Sequence, residues 1–123
     1  NRTELTVEAA KQIVQERGPA QNTYLSIETI QQHVAEYFNL TPNLLIGKTR
    51  KQEVAGARQI AMFLSKRLTK NPLKVIGLHF GNRDHSTVVH AIQTVEKKSK
   101  RDVSFAQMVE TLSETVQQKH PLR

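Results

Sequence analysis

The sequence predicts an all-α fold of about six helices that carries a helix-turn-helix. Three observations support this. Apolar residues recur at helical spacing along most of the chain, whereas strand-like alternation and hairpin dipeptides are weak. Gly, Pro and small polar residues punctuate that pattern where helices should start and stop. Finally, a short apolar segment, a glycine and a second amphipathic segment follow one another after Asn71-Pro72, which is the order of a helix-turn-helix.

In chain order, a first helix is expected over about residues 3–16, with Leu5, Ala9 and Ile13 on one face and Gly18-Pro19 as its stop. Ser26 can cap a second helix that turns Ile27, Ile30, Val34 and Phe38 inward. Thr41-Pro42 reads as a cap followed by proline at the first helical position, and it opens a short turn holding Leu44 and Leu45. A long helix follows over about residues 51–68 with the stripe Val54, Ala57, Ala61, Leu64 and Leu68. Asn71-Pro72 repeats the cap-then-proline signal and opens a short helix with Leu73, Ile76 and Gly77 that ends near Phe80-Gly81. Asp84 is the expected cap of the next helix, whose core face is Val88, Ile92 and Val95. Ser104 with Gln107 suggests a capping box for a last helix that buries Phe105, Met108, Leu112 and Val116.

At 123 residues the chain is sized for one domain with a real core. Cys is absent, which excludes disulfide frameworks and thiolate metal sites and fits a reducing cytoplasm. No apolar run approaches a membrane span, so no membrane role is expected of this domain. The first residue is not Met, so the chain reads as a fragment of a longer protein. The net charge of +7 is unevenly spread. Residues 48–101 hold 13 Lys/Arg against 3 Asp/Glu, while the flanks are net acidic. A basic middle between acidic flanks points to a polyanionic partner, although a basic face docking an acidic protein fits the same charges.

The segment with the sharpest chemistry runs Phe80-Gly81-Asn82-Arg83-Asp84-His85-Ser86-Thr87-Val88-Val89-His90-Ala91. Gly81 should supply the left-handed residue that ends the first helix of the motif. The second helix then presents Asp84, His85, Ser86 and Thr87 at its start, where such helices meet base edges in the major groove. Asp can accept from cytosine N4, and Ser and Thr can contact several bases. These residues could also be no more than helix caps. Lys48, Arg50 and Lys51 before the long helix, and Arg58, Lys66, Arg67, Lys70 and Lys74 after its start, form a set that can hold phosphates on either side of a groove-inserted helix, with Arg50 in a loop-like stretch from which it could enter a minor groove. The alternative is a solvated basic face with Arg58 in an ion pair. His85 and His90 lie five apart on different helix faces, so no metal is expected. No nucleophilic triad or phosphate-cradling loop is visible, and no catalytic residue is assigned.

These residues resemble the C-terminal DNA-binding domain of the bacterial chromosomal replication initiator DnaA family. The resemblance rests on the segment just quoted and on Lys48-Thr49-Arg50-Lys51, Val54-Ala55, Ala57-Arg58-Gln59-Ile60-Ala61-Met62-Phe63-Leu64 and Leu68-Thr69. It covers roughly residues 26–95. The family implies a sequence-specific binder of double-stranded DNA at origin sites of the TTATNCACA type. Asp84, His85, Ser86 and Thr87 would read the major groove and Arg50 the adjacent minor groove, with Lys74 close to a base or its backbone. Lys48, Arg58, Gln59, Lys66 and His90 match positions on the phosphate side. Residues 1–20 resemble the connector helix from an ATPase module, with residues 21–123 as the DNA-binding domain. ATP would belong to that absent module, leaving this chain no cofactor of its own, and other replication proteins would be met through absent modules. Two departures stand out: Ser86 where Thr is commoner, and Asn82 where Gly is usual.

Overall fold

The structure, a computed structural model, describes residues 25–118. Among them run six helices, α1 Ile27–Tyr37, α2 Pro42–Ile46, α3 Gln52–Leu68, α4 Leu73–His79, α5 His85–Arg101 and α6 Val103–Gln118, with no strand among the described residues. The helix expected over residues 3–16 lies outside them.

Helix α1 starts as the sequence predicts, with Ser26 Oγ accepting from the Thr29 amide at 3.2 Å. Its end is set by Asn39, which adopts the left-handed conformation at φ 61°. The Leu40 amide then reaches the Ala35 carbonyl and the Asn39 amide the Glu36 carbonyl, the paired closure of a Schellman motif. Pro42 opens α2, although Thr41 makes no side-chain cap. Leu45 is fully buried, while Leu44 is 39% exposed.

Helix α3 is the central element and packs against each of the other five helices. That explains why its buried set is wider than one stripe: Val54, Ala57, Ile60, Ala61, Met62 and Leu64 are joined by Arg58 and Ser65. The buried Ser65 hydroxyl is satisfied by donating to the Ala61 carbonyl one turn back at 2.8 Å.

Two expected caps are corrected. Asn71 does not cap α4. Its amide nitrogen donates to Thr69 Oγ1 at 3.0 Å, and Pro72 occupies the cap position with no side-chain bond. The Ser104–Gln107 box does not open α6 either. The helix begins at Val103, two residues earlier than a cap at Ser104 would start it, and the Asp102 carboxylate accepts from the Phe105 amide at 3.2 Å. Asp102 also ends α5, so one residue serves both helices and leaves no room for a cap at Ser104.

The core gathers Ile27, Ile30, Val34, Leu45, Leu64, Ile76, Phe80, Val88, Val95, Leu112 and Val116. Ile92, Phe105 and Met108 are only partly buried against it, and Ala91 and Val109 take the deeper places. Phe80, at the end of α4, is fully buried and ties the helix-turn-helix to the core.

Candidate nucleic-acid interface

The sequence Phe80-Gly81-Asn82-Arg83-Asp84 builds the turn between α4 and α5. Gly81 lies at φ 87°, as expected, and Asn82 at φ 62°, so two successive residues are left-handed. Gly81 needs its conformation, and a Cβ there would also strike the Ile46 carbonyl. Asn82 shows why this residue can replace glycine: it is among the few side chains that tolerate the left-handed region. The chain then doubles back so tightly that the Arg83 amide donates to the Gly77 carbonyl at 2.9 Å. A Cβ on Gly77 would overlap the Arg83 carbonyl oxygen, so that glycine is required for a close approach.

This turn delivers Asp84 as the cap of α5. One carboxylate oxygen, Oδ1, accepts from Thr87 Oγ1 at 3.0 Å, Ser86 Oγ at 3.2 Å and the Thr87 amide at 3.4 Å. The Thr87 hydroxyl, then the Ser86 hydroxyl and the Thr87 amide hold the Asp84 carboxyl below its usual range. The capping role and an outward presentation coexist, because Asp84, His85, Ser86 and Thr87 are all exposed. Both hydroxyl protons point at Asp84, so the oxygens offer lone pairs outward. The Asp84 Oδ2 takes none of these three bonds. Val88, one position on, is fully buried, so this exposed turn sits directly on the core.

Beside the turn lies a polar cleft of about 470 Å³, lined by Lys48, Thr49, Arg50, Arg58, Gly81, Asn82 and Arg83. The structure thus brings Lys48 and Arg50 to the turn that leads into α5. Lys48 and Arg50 are exposed on the loop between α2 and α3. Lys74 is exposed on α4, with Leu78 one turn on and 54% exposed. His90 is exposed on α5, four residues after Ser86 and on the same side. Lys66 is exposed in the last turn of α3.

Three residues differ from expectation. Arg58 is not a solvated surface cation: it is 8% exposed at the wall of the cleft, with Nε and Nη2 of its guanidinium spent on backbone. Nε donates to the Leu45 carbonyl at 2.9 Å, and Nη2 faces those of Thr49, Gly47 and Leu44 at 3.1, 3.2 and 3.3 Å. Its structural partners are carbonyls, where an ion pair was the alternative. Burial, and then the like charge of Arg83, lower its basicity. Gln59 does not line the cleft. It is half-buried at a separate apolar groove of about 260 Å³ that also includes Phe38, Gly56 and Phe105. Arg67, one of the basic set, is turned to α6, pairing with Glu110 at 2.8 Å and stacking on Phe63.

Two site-building residues carried no assigned role in the sequence reading. Gln31, buried on α1, donates to the His79 carbonyl at 2.8 Å and anchors the end of α4. His79 sits near Glu28 at 3.1 Å and the Val75 carbonyl at 3.0 Å, a tie to α1. Arg83 is the other: Nη2 donates to the Gly47 carbonyl at 2.8 Å, and Nη1 to those of Phe80 and, at 3.4 Å, Ile46. Its position immediately before a cap was the available signal, but two of its carbonyl partners, Ile46 and Gly47, lie far back in the chain.

A family model described as "Bacterial dnaA protein helix-turn-helix" matches residues 27–95. The chain is 50% identical over 95 residues to the chromosomal replication initiator protein DnaA of Chlorobaculum tepidum, covering 77% of this chain and 19% of that protein. It is 42% identical over 113 residues to the same-named protein of Flavobacterium psychrophilum, covering 92% and 24%. It therefore spans about a fifth to a quarter of the length of these relatives. A crystal structure of a DNA replication initiation factor superposes with a TM-score of 0.71 at 29% identity, covering 81% of this chain and 30% of that one. On these matches the chain belongs to the bacterial DnaA helix-turn-helix family, and α4, its turn and α5 form the helix-turn-helix of that DNA-binding domain.

Proposed function

We propose that this domain binds double-stranded DNA sequence-specifically at replication-origin sites of the TTATNCACA type, as the reading module of a longer initiator of bacterial chromosome replication. The observation that carries the reading is that the turn at residues 81–83, which leads directly into the exposed polar helix start from Asp84 to Thr87, shares one cleft with the basic loop bearing Lys48 and Arg50. In this reading α5 enters the major groove by its N-terminus. Ser86 and Thr87, their protons turned to Asp84, accept from the amino groups of adenine or cytosine, and Asp84 Oδ2 accepts from cytosine N4. His85, the first helical residue, offers a ring N–H to a base acceptor. Arg50 extends into the adjacent minor groove, where negative potential is enhanced at A·T-rich sequence. Lys74 approaches the edge of the major groove from α4. Lys48, Lys66 and His90 hold phosphates, while Arg58 acts from inside by bracing the loop. ATP binding and contacts with other replication proteins belong, in this proposal, to separate modules.

A gel-shift comparison of an origin-type duplex with a scrambled duplex of equal length, at one salt concentration, tests it. Clear preference for the origin-type duplex is expected. Equal affinity would overturn sequence-specific reading and leave a basic surface without a code.

A further inference from the structure

The C-terminal end of α2 leaves a row of carbonyls without helical partners, as every helix does. Here two arginines from distant parts of the chain divide them. Arg58 of α3 takes Leu44, Leu45, Gly47 and Thr49, and Arg83 of the α4–α5 turn takes Ile46 and Gly47. Cations suit a helix C-terminus, where the backbone dipole is negative. Arg58 belongs to the helix that the loop runs into. Arg83 does not: it precedes the α5 cap, and its own backbone is locked to Gly77. It thus bonds the turn directly before α5 to the loop that carries Arg50, three residues beyond Gly47.

We infer that Arg83 is a positioning residue that fixes the Arg50 loop relative to the first turn of α5, so that minor and major grooves are read at one set spacing. This rests on the DNA-binding function proposed above. The side chain suits the task because a planar guanidinium addresses several carbonyls at once, whereas a lysine ammonium is a single point charge on a flexible stem. No carboxylate is bonded to either guanidinium among the described residues, and Arg83 adds repulsion at Arg58. A backbone phosphate held by Lys48 and Arg50 at the mouth of the cleft brings negative charge near both guanidiniums and offsets that repulsion without a direct bond to Arg58.

A double-mutant cycle tests the inference. Arg50→Ala is measured in the native background, in Arg83→Ala and in Arg83→Lys, on the origin-type duplex and on one whose A·T-rich end is replaced by G·C pairs. In the native background Arg50→Ala should lower origin affinity about tenfold, and that penalty should shrink to near unity in both Arg83 backgrounds. Arg83→Lys retains the charge and the fold, so failure of lysine to rescue separates positioning from simple phosphate attraction. Full additivity, with the same Arg50→Ala penalty in all backgrounds, would overturn the positioning role. Amide hydrogen exchange without DNA gives an independent reading. Residues 47–51 should exchange faster in Arg83→Lys while α5 amides after Val88 stay protected, and unchanged loop exchange counts against the strut. If the native chain shows no origin preference, the DNA-site reading fails, while the exchange result still decides whether Arg83 holds the loop.

Discussion

Arg58 and Arg83 share one acceptor, the carbonyl of Gly47, at 3.2 and 2.8 Å. The loop between α2 and α3 is therefore held by two guanidiniums that come from the central helix and from the helix-turn-helix. This segment, Gly47 to Lys51, has no large apolar side chain and is held by one buried and one half-buried cation bonded to its backbone. Breaking a buried donor set leaves its acceptors unsatisfied, which costs more than the bonds contribute net. Arg58→Leu should destabilise the domain by about 2–4 kcal/mol, read by urea denaturation. A change below about 0.5 kcal/mol, the usual range of surface substitutions, would show that water replaces the guanidinium without loss.

The glycines make a paired test. Gly77→Ala places a Cβ against the Arg83 carbonyl, which is backbone and cannot swing aside. It should cost on the order of 1–3 kcal/mol or more and distort the turn. Gly56, inside α3, has open space where a Cβ would go, so Gly56→Ala should stabilise by about 0.5–1 kcal/mol through helix propensity alone. Thermal unfolding of both variants checks the opposite signs.

His85→Ala and Thr87→Ala remove exposed side chains from the reading turn. Each should cost specific DNA binding on the order of 1–3 kcal/mol while non-specific binding persists. Thr87→Ala also removes a bond to Asp84, so its helicity must be checked in parallel, and Thr87→Ser serves as the rescue. If both alanine variants stay folded and keep the native ratio of origin to scrambled affinity, α5 does not read bases.

Salt dependence follows from the basic middle of the chain. With about six phosphates neutralised, log K against log salt should fall with a slope of about −5. Lys66→Ala should weaken all sequences alike and reduce that slope by about 1. A slope near zero, measured by anisotropy titration across salt concentrations, would be incompatible with phosphate contacts.

Asp84 gives a pH signature. Its folded-state value lies below the usual 3.8, so its capping contribution is present above 3.8 and is lost as pH falls through the folded value. Asp84→Asn should abolish this acid-side loss of α5 protection. A carboxyl-detected NMR titration midpoint at or above 3.8 would contradict the hydrogen-bonded geometry.

Much of this molecule was legible in its residues because the relevant forces are local. Helical periodicity marked the helices, Ser26 and Asp84 marked two starts, and Gly81 marked the left-handed turn, each by a preference acting over a few neighbours. The exposed turn from Asp84 to Thr87 followed from the same periodicity, which sends Val88 inward. Caps were misread where two residue types competed within one turn: Asp102 lies just before the start of α6, and its carboxylate took the role expected of Ser104. The tertiary structure decided what depends on contacts far apart in sequence. Arg58 looked like one more surface cation until the carbonyls of residues 44–49 gathered around it, and Gln59, beside it, faced a different groove. The bond from Arg83 to Gly47 spans 36 residues, and no local propensity encodes it. Where the reading turn sits was thus written in local patterns, whereas how the Arg50 loop is held against it emerged only when the folded backbone placed unsatisfied carbonyls within reach of two guanidiniums.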